Sequence, residues 1–268
     1  MSNKTAVQGG VHLLSGLILA SLSKRKEFKL GAVIGAILPD FDIIITAFAY
    51  LAIGEKAADL HRSFSHSLLF IAVVAGITIS LRFVPQIKKR TSYDFVGLGI
   101  GLGIGFLTHG VLDMAYLYGI QFLWPFSKEL IGFPIVPFES FDTNLASDTL
   151  KLKLLQTTDF YTDIFLFYIP ILFLAYKMKK HEELHLPFLI YIIADFIVTT
   201  VFVGLSFRAS VSYEDHTIQL YYLGTFFLMI SLIAPILFRD VIREFKFEPW
   251  IMIIIVALVV FSQFLFYV

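Results

Sequence analysis

The chain has 268 residues, of which 57% are hydrophobic and only 16% charged, where a soluble domain carries roughly 25% charged residues. Lys+Arg and Asp+Glu balance at 21 each, which gives no sign of a nucleic-acid partner. The lack of cysteine excludes disulfides, thiolate metal sites and cysteine nucleophiles.

A helix crosses the hydrocarbon core with about 20 mostly apolar residues. Eight stretches approach that length: 6–22, 30–53, 67–84, 95–120, 160–176, 186–207, 220–238 and 250–268. The predicted fold is therefore all-α, a polytopic membrane protein of about eight transmembrane helices in one bundle. It forms a single integral-membrane domain over 1–268, with most of the polar interruptions in 1–126 and supporting helices in 127–268. The first stretch is followed, not preceded, by its basic cluster Lys24, Arg25 and Lys26, so it is expected to be a retained helix rather than a signal peptide. The gap 121–159 contains Pro125, Pro134 and Pro137 and predicts a loop packed at the membrane interface.

Lys and Arg favour cytoplasmic loops. Assigning alternate loops to two sides puts most of the basic residues on one of them, including Lys24–Lys29, Arg82–Arg90, Lys177–Lys180 and Arg239–Lys246. Eight spans then place both termini on the non-cytoplasmic side.

Several ionisable residues interrupt the apolar stretches, and in a membrane such residues pair, line a wet cavity or bind ions. His12 lies near the outer end of the first stretch, and Asp40 and Asp42 follow Pro39 in the second. His61, Arg62 and His66 lead into the third, and His109 and Asp113 occupy the outer half of the fourth. His109 and Asp113 are four residues apart and share a helix face, where imidazole and carboxylate suit a divalent metal. Asp40 and Asp42 point to different sides of an ideal helix, but Pro39 weakens the helix, and a locally extended turn would aim both carboxylates at one point. Gly97, Gly101 and Gly105 lead to His109 at four-residue steps, and Gly31 and Gly35 lead to Pro39 in the same way. Small residues at this spacing let helices approach closely, so the second and fourth helices are expected to pack along these stripes and bring the carboxylates toward His109 and Asp113. Each residue alone also has an ordinary reading, as a helix cap, a solvated loop or an intrahelical pair. Their gathering in four successive stretches, mostly on one side, argues for a site.

The set His12, Leu38-Pro39-Asp40-Phe41-Asp42, His61-Arg62-Ser63-Phe64-Ser65-His66-Ser67, Thr108-His109-Gly110-Val111-Leu112-Asp113 and Trp124-Pro125-Phe126 resembles the LexA-binding, inner-membrane-associated metal-dependent hydrolase family over the first half of the chain. The order of histidines and aspartates is more distantly similar to the zinc-dependent phospholipase C group. That likeness implies His12, Asp40, His66, His109 and Asp113 as metal ligands for one or two divalent ions, zinc foremost. It leaves Asp42 and His61 to move protons or orient a ligand, and Arg62 to hold a phosphate. The resemblance implies no defined substrate; the expected function is a membrane-embedded, metal-dependent hydrolase of a phosphoester such as a lipid head group, with the bilayer as partner. The alternative is a metal or ion transporter or a scaffold.

Overall fold

The computed structural model describes residues 9–53, 60–115, 119–133 and 239–244, with isolated helical positions at 197, 249–250, 253–254 and 257. Helices α1 (Gly9–Ser21), α2 (Lys26–Ile37), α3 (Asp42–Ile53), α4 (Leu68–Ser80), α5 (Pro85–Arg90), α6 (Phe95–Ala115) and α7 (Arg239–Arg243) form the described framework. The predicted spans 160–176, 186–207 and 220–238 lie outside the described residues but for position 197. Among the described residues one helix, Phe95–Ala115, is long and apolar enough to cross a membrane. Its 21 residues measure about 31 Å, matching the hydrocarbon thickness. Shorter apolar helices run over Val11–Ser21 and Leu68–Phe83, within the first and third predicted spans.

The helix ends follow local chemistry. Asp94 caps α6 by accepting from the Gly97 N–H at 2.9 Å, and Ser67 caps α4 by accepting from the Phe70 N–H at 3.2 Å. Pro85 opens α5, where its missing N–H costs nothing. Glu27 in the first turn of α2 complements the helix dipole.

The second predicted span is not one helix, which corrects the sequence expectation. Pro39 ends α2, and a 3-10 turn over Pro39–Phe41 joins it to α3. The turn is helical throughout rather than extended, with Asp42 at φ −63°, ψ −21°. Asp40 and Asp42 therefore leave the chain in different directions, as their two-residue separation requires.

The glycine stripes meet as expected. At Gly101 an added Cβ would collide with the carbonyl oxygen of Phe28, and at Gly105 with that of Ala32. Reciprocally, Gly31 lies against the Leu98 carbonyl and Gly35 against that of Leu102. Helices α2 and α6 thus run parallel with their backbones in contact, and the pairs 28/101 and 32/105 advance by four residues together. Other small residues admit the neighbours: Gly16 seats α1 on Val33 and Ala36 of α2, and Gly99 seats α4 through Ala75 and Ile79. The core is completed by Leu13, Leu14, Leu17, Val33 and Phe106, all buried.

At the end of the bundle where α2 and α6 begin, charged groups tie α7 to α2. Arg243 donates to Glu27 at 2.6 Å, and its guanidinium lies 5.1 Å from the centre of the Tyr93 ring. Lys26 pairs with Glu244 and holds that carboxyl below its usual range.

Candidate metal centre

At the opposite end, four elements contribute one polar group or more each: His12 from α1, Asp40 from the turn after α2, His66 from the 3-10 turn Phe64–His66 before α4, and His109 and Asp113 from the last turns of α6. All five are buried. The α2/α6 ladder explains much of this convergence. The Phe28 and Ala32 carbonyls meet glycines, whereas the next one, Ala36, accepts a hydrogen bond from His109 Nδ1 at 2.7 Å. One further step of four along each helix reaches Asp40 and Asp113.

Asp40, His66, His109 and Asp113 form a buried group able to hold a metal ion, with ligand atoms all within 4.8 Å of one another. His66 Nε2 lies 3.2 Å from Asp113 Oδ2 and 3.6 Å from Asp40 Oδ1. His109 Nε2 lies 3.5 Å and 3.4 Å from the same two atoms, and 3.1 Å from His66 Nε2. A tetrahedral ion held at about 2.0–2.1 Å needs donor atoms about 3.3 Å apart; the pairs that involve His66 or His109 lie near that spacing, and the two carboxylate oxygens lie within 4.8 Å of each other.

The chemistry of the donors points the same way. A carbonyl only accepts, so His109 Nδ1 carries a proton, and in the neutral ring Nε2 presents its lone pair. Ser65 Oγ donates to Asp42 Oδ2 at 2.6 Å, which leaves the Ser65 oxygen to accept from His66 Nδ1 at 2.9 Å. In the neutral ring, the form that binds metal, His66 Nε2 then presents a lone pair as well. Two imidazole nitrogens and two carboxylate oxygens face one another, a donor set that suits a divalent cation. Asp113 Oδ2 has no hydrogen-bond partner although fully buried.

Asp42 does not join this group. It lies on the far side of His66, its Oδ2 3.4 Å from His66 Nδ1. It also accepts from the Arg62 backbone N–H at 3.0 Å and pairs with His61 Nδ1 at 2.7 Å. Both its oxygens are thereby engaged in positioning the His61–His66 segment, the kind of outer support that orients metal-binding imidazoles. His61 is held at the edge of the site, edge-on to His66 with ring centroids 5.7 Å apart.

His12 stacks on His109, ring centroids 3.6 Å apart and planes 15° from parallel. Its Nε2 is 3.4 Å from Asp113 Oδ1, the oxygen not used by the four-residue group. Neither ring nitrogen has a hydrogen-bond partner.

Arg62 is buried at 5% exposure, and none of its guanidinium nitrogens is hydrogen-bonded. Its Nε lies 3.9 Å from Asp113 Oδ2. Its backbone has φ 64°, in the left-handed region, which costs a non-glycine residue on the order of 1–3 kcal/mol. The conformation is fixed from both sides: the N–H is held by Asp42, and the carbonyl accepts from the Gln121 N–H at 3.1 Å. Gln121 belongs to residues 119–133, which return from α6 across the site. There Ile120 and Ile131 form an antiparallel bridge, the Leu68 N–H donates to the Phe122 carbonyl at 2.9 Å, and Trp124 meets Phe64 edge-on. Gly119, at φ 73°, packs its backbone on Ile131 where no side chain would fit.

The sequence reading missed three groups: Ser65, the Ala36 carbonyl and the Gln121 N–H. Ser65 stood in the quoted motif without a role, and its place beside His66 was the available signal. The two backbone groups leave no mark in side-chain identity.

No curated protein and no solved structure matches the chain. The model of the YdjM inner membrane protein family matches residues 1–201, which include every residue of the site and most of the chain. The chain belongs to the YdjM inner membrane protein family, and its setting is the lipid bilayer of an inner membrane.

Proposed function

We propose that the chain is a membrane-embedded, metal-dependent hydrolase of a phosphoester, with a lipid head group as the substrate nearest to hand. The observation that carries this is the cage of four candidate ligand atoms from Asp40, His66, His109 and Asp113, with a guanidinium beside it that makes no hydrogen bond. Mixed imidazole and carboxylate donors favour zinc. His12 and Asp113 Oδ1 would hold a second ion. When bound, the metal supplies positive charge for a phosphoryl oxygen and acidifies water.

The protein's own groups have distinct tasks. Arg62 grips the phosphoryl group by paired hydrogen bonds. Asp42 and Ser65 fix the tautomer and aim of His66, and the Ala36 carbonyl does the same for His109. His61, at the edge, is the group placed to exchange protons with the surroundings. Phe126, exposed on the segment over the site, and Trp124 beside it would line the approach at head-group level. The alternation of basic loops favours a site on the non-cytoplasmic side, with both termini there.

The test is elemental analysis of protein purified in detergent, followed by phosphoester hydrolysis with and without chelator. A second reading is a metal transporter, favoured by one observation: the broken span at Pro39 carries Asp40, as ion-coordinating breaks do in transporters. Chelator-sensitive turnover without ion flux in proteoliposomes decides for the hydrolase, and flux without turnover for the transporter.

A further inference from the structure

We infer that the site takes a terminal phosphate monoester, a group with three free oxygens, in preference to a phosphodiester; the inference rests on the metal-dependent phosphoester reading above. The argument begins with Arg62. Its three guanidinium nitrogens are buried and make no hydrogen bond, and the long ion pair of Nε with Asp113 Oδ2, at 3.9 Å, leaves both Nη groups without a partner; that oxygen is the one shared with His66 and His109. Buried donors without a hydrogen bond are unfavourable, and one ion pair at 3.9 Å does not satisfy them, so the fork suits an anion supplied from outside the protein. The backbone clamps from Asp42 and Gln121 hold it on the cage before any ligand arrives.

Counting oxygens then separates the ester classes. A guanidinium gripping in its paired mode takes two oxygens, and a third must face the cage of Asp40, His66, His109 and Asp113. A terminal phosphoryl group has three such oxygens. A diester has two, so one donor of the fork would stay buried and unsatisfied, a loss that enzymes built around hydrogen bonds convert into large discrimination. Enclosure argues the same way: Arg62, His66, His109 and Asp113 are all buried, which suits a group with one organic substituent better than one with two. In the hydrolysis the water oxygen forms the new bond to phosphorus and the ester P–O bond breaks. One water proton ends on the released alcohol, and orthophosphate remains on Arg62.

The test uses the full chain in detergent, loaded with zinc. Calorimetry with inorganic phosphate and with dimethyl phosphate should show the first binding at least about tenfold tighter. Arg62→Lys keeps the charge but loses the fork, and should weaken inorganic phosphate binding about tenfold while zinc content is unchanged. Hydrolysis of phosphatidic acid, glycerol 3-phosphate and phosphatidylcholine then compares a lipid monoester, a soluble monoester and a lipid diester. Faster turnover of either monoester than of the diester supports the inference, and the faster of the two identifies the source of the phosphate. Equal binding of the two anions, or diester turnover matching the monoesters, overturns it and leaves the metal-dependent hydrolase standing. Zinc-loaded protein that neither binds phosphate nor cleaves any of the three overturns both. If Arg62→Lys does not fold, the comparison of the two anions on the unaltered chain decides alone.

Discussion

The Ala36 carbonyl, in the last turn of α2, accepts a hydrogen bond from Nδ1 of His109 in α6 at 2.7 Å. That one contact joins the packing of two helices to the aim of a metal-binding nitrogen. Because the glycine ladder already holds α2 against α6, His109 and Asp113 should be needed for metal but not for assembly. His109→Ala and Asp113→Ala should each insert and fold, because removing a polar group from a membrane helix lowers the cost of placing it in lipid. Each should lose metal by more than the roughly 10–100-fold that follows loss of an outer partner. Elemental analysis of the purified variants checks this, and full occupancy in both would end the metal reading.

Ser65→Ala tests the outer support by itself. The hydroxyl donates to Asp42 and accepts from His66, so its loss frees the imidazole to turn or change tautomer. Zinc affinity should fall about 10–100-fold, with recovery in Ser65→Thr, which keeps the hydroxyl. Competition against a chelating dye measures it. Unchanged affinity in Ser65→Ala would mean that Asp42 alone holds His66.

Gly101→Leu and Gly105→Leu should destabilise the protein by about 1–3 kcal/mol through overpacking, because each faces a backbone carbonyl of α2. Gly76 is the control. Nothing lies within 4 Å of a Cβ added there, so Gly76→Ala should be neutral or gain about 0.5–1 kcal/mol from helix propensity. Thermal unfolding in detergent ranks the three variants.

These stripes and the His/Asp set were legible in the sequence because each depends on a helical period of four and on side-chain type. Gly31, Gly35, Gly101 and Gly105 foretold the α2/α6 contact, and with it the meeting of Asp40 with His109 and Asp113. The direction of Asp42 was not legible. Pro39 announced a break, but whether the chain there extends or tightens depends on what packs around it, and the tight turn sent Asp42 behind His66. The left-handed backbone of Arg62 was hidden for a related reason: nothing in an arginine favours it, and it is held only by Asp42 and Gln121, partners distant in sequence.

The link between Glu27 and Arg243 ties α7 to α2 at 2.6 Å. With side chains 11% and 24% exposed, the pair should couple at or slightly above the upper end of the roughly 0.2–1 kcal/mol seen for exposed pairs. A double-mutant cycle with Glu27→Gln and Arg243→Gln, followed by thermal unfolding, measures that coupling. Additive effects would show that the contact does not hold the segment.

Sidedness can be read chemically, since the chain has no cysteine of its own. Cysteine in place of Lys128 should react with an impermeant thiol reagent applied from the non-cytoplasmic side, and cysteine in place of Lys24 or Lys89 should not. The reverse pattern would turn the site toward the cytoplasm.

Contact between the α2 and α6 backbones also limits how this protein can change its length. Flexible side chains can absorb a misfit between helices, but a glycine against a carbonyl has nothing to bend. One residue inserted between Gly105 and His109 would swing the imidazole by about 100° and shift it about 1.5 Å along the axis, away from the Ala36 carbonyl. Between Gly101 and Asp113 the chain can therefore exchange residues only off the Gly101, Gly105, His109 and Asp113 stripe and cannot gain or lose one, and length variation is left to the connections outside the ladder.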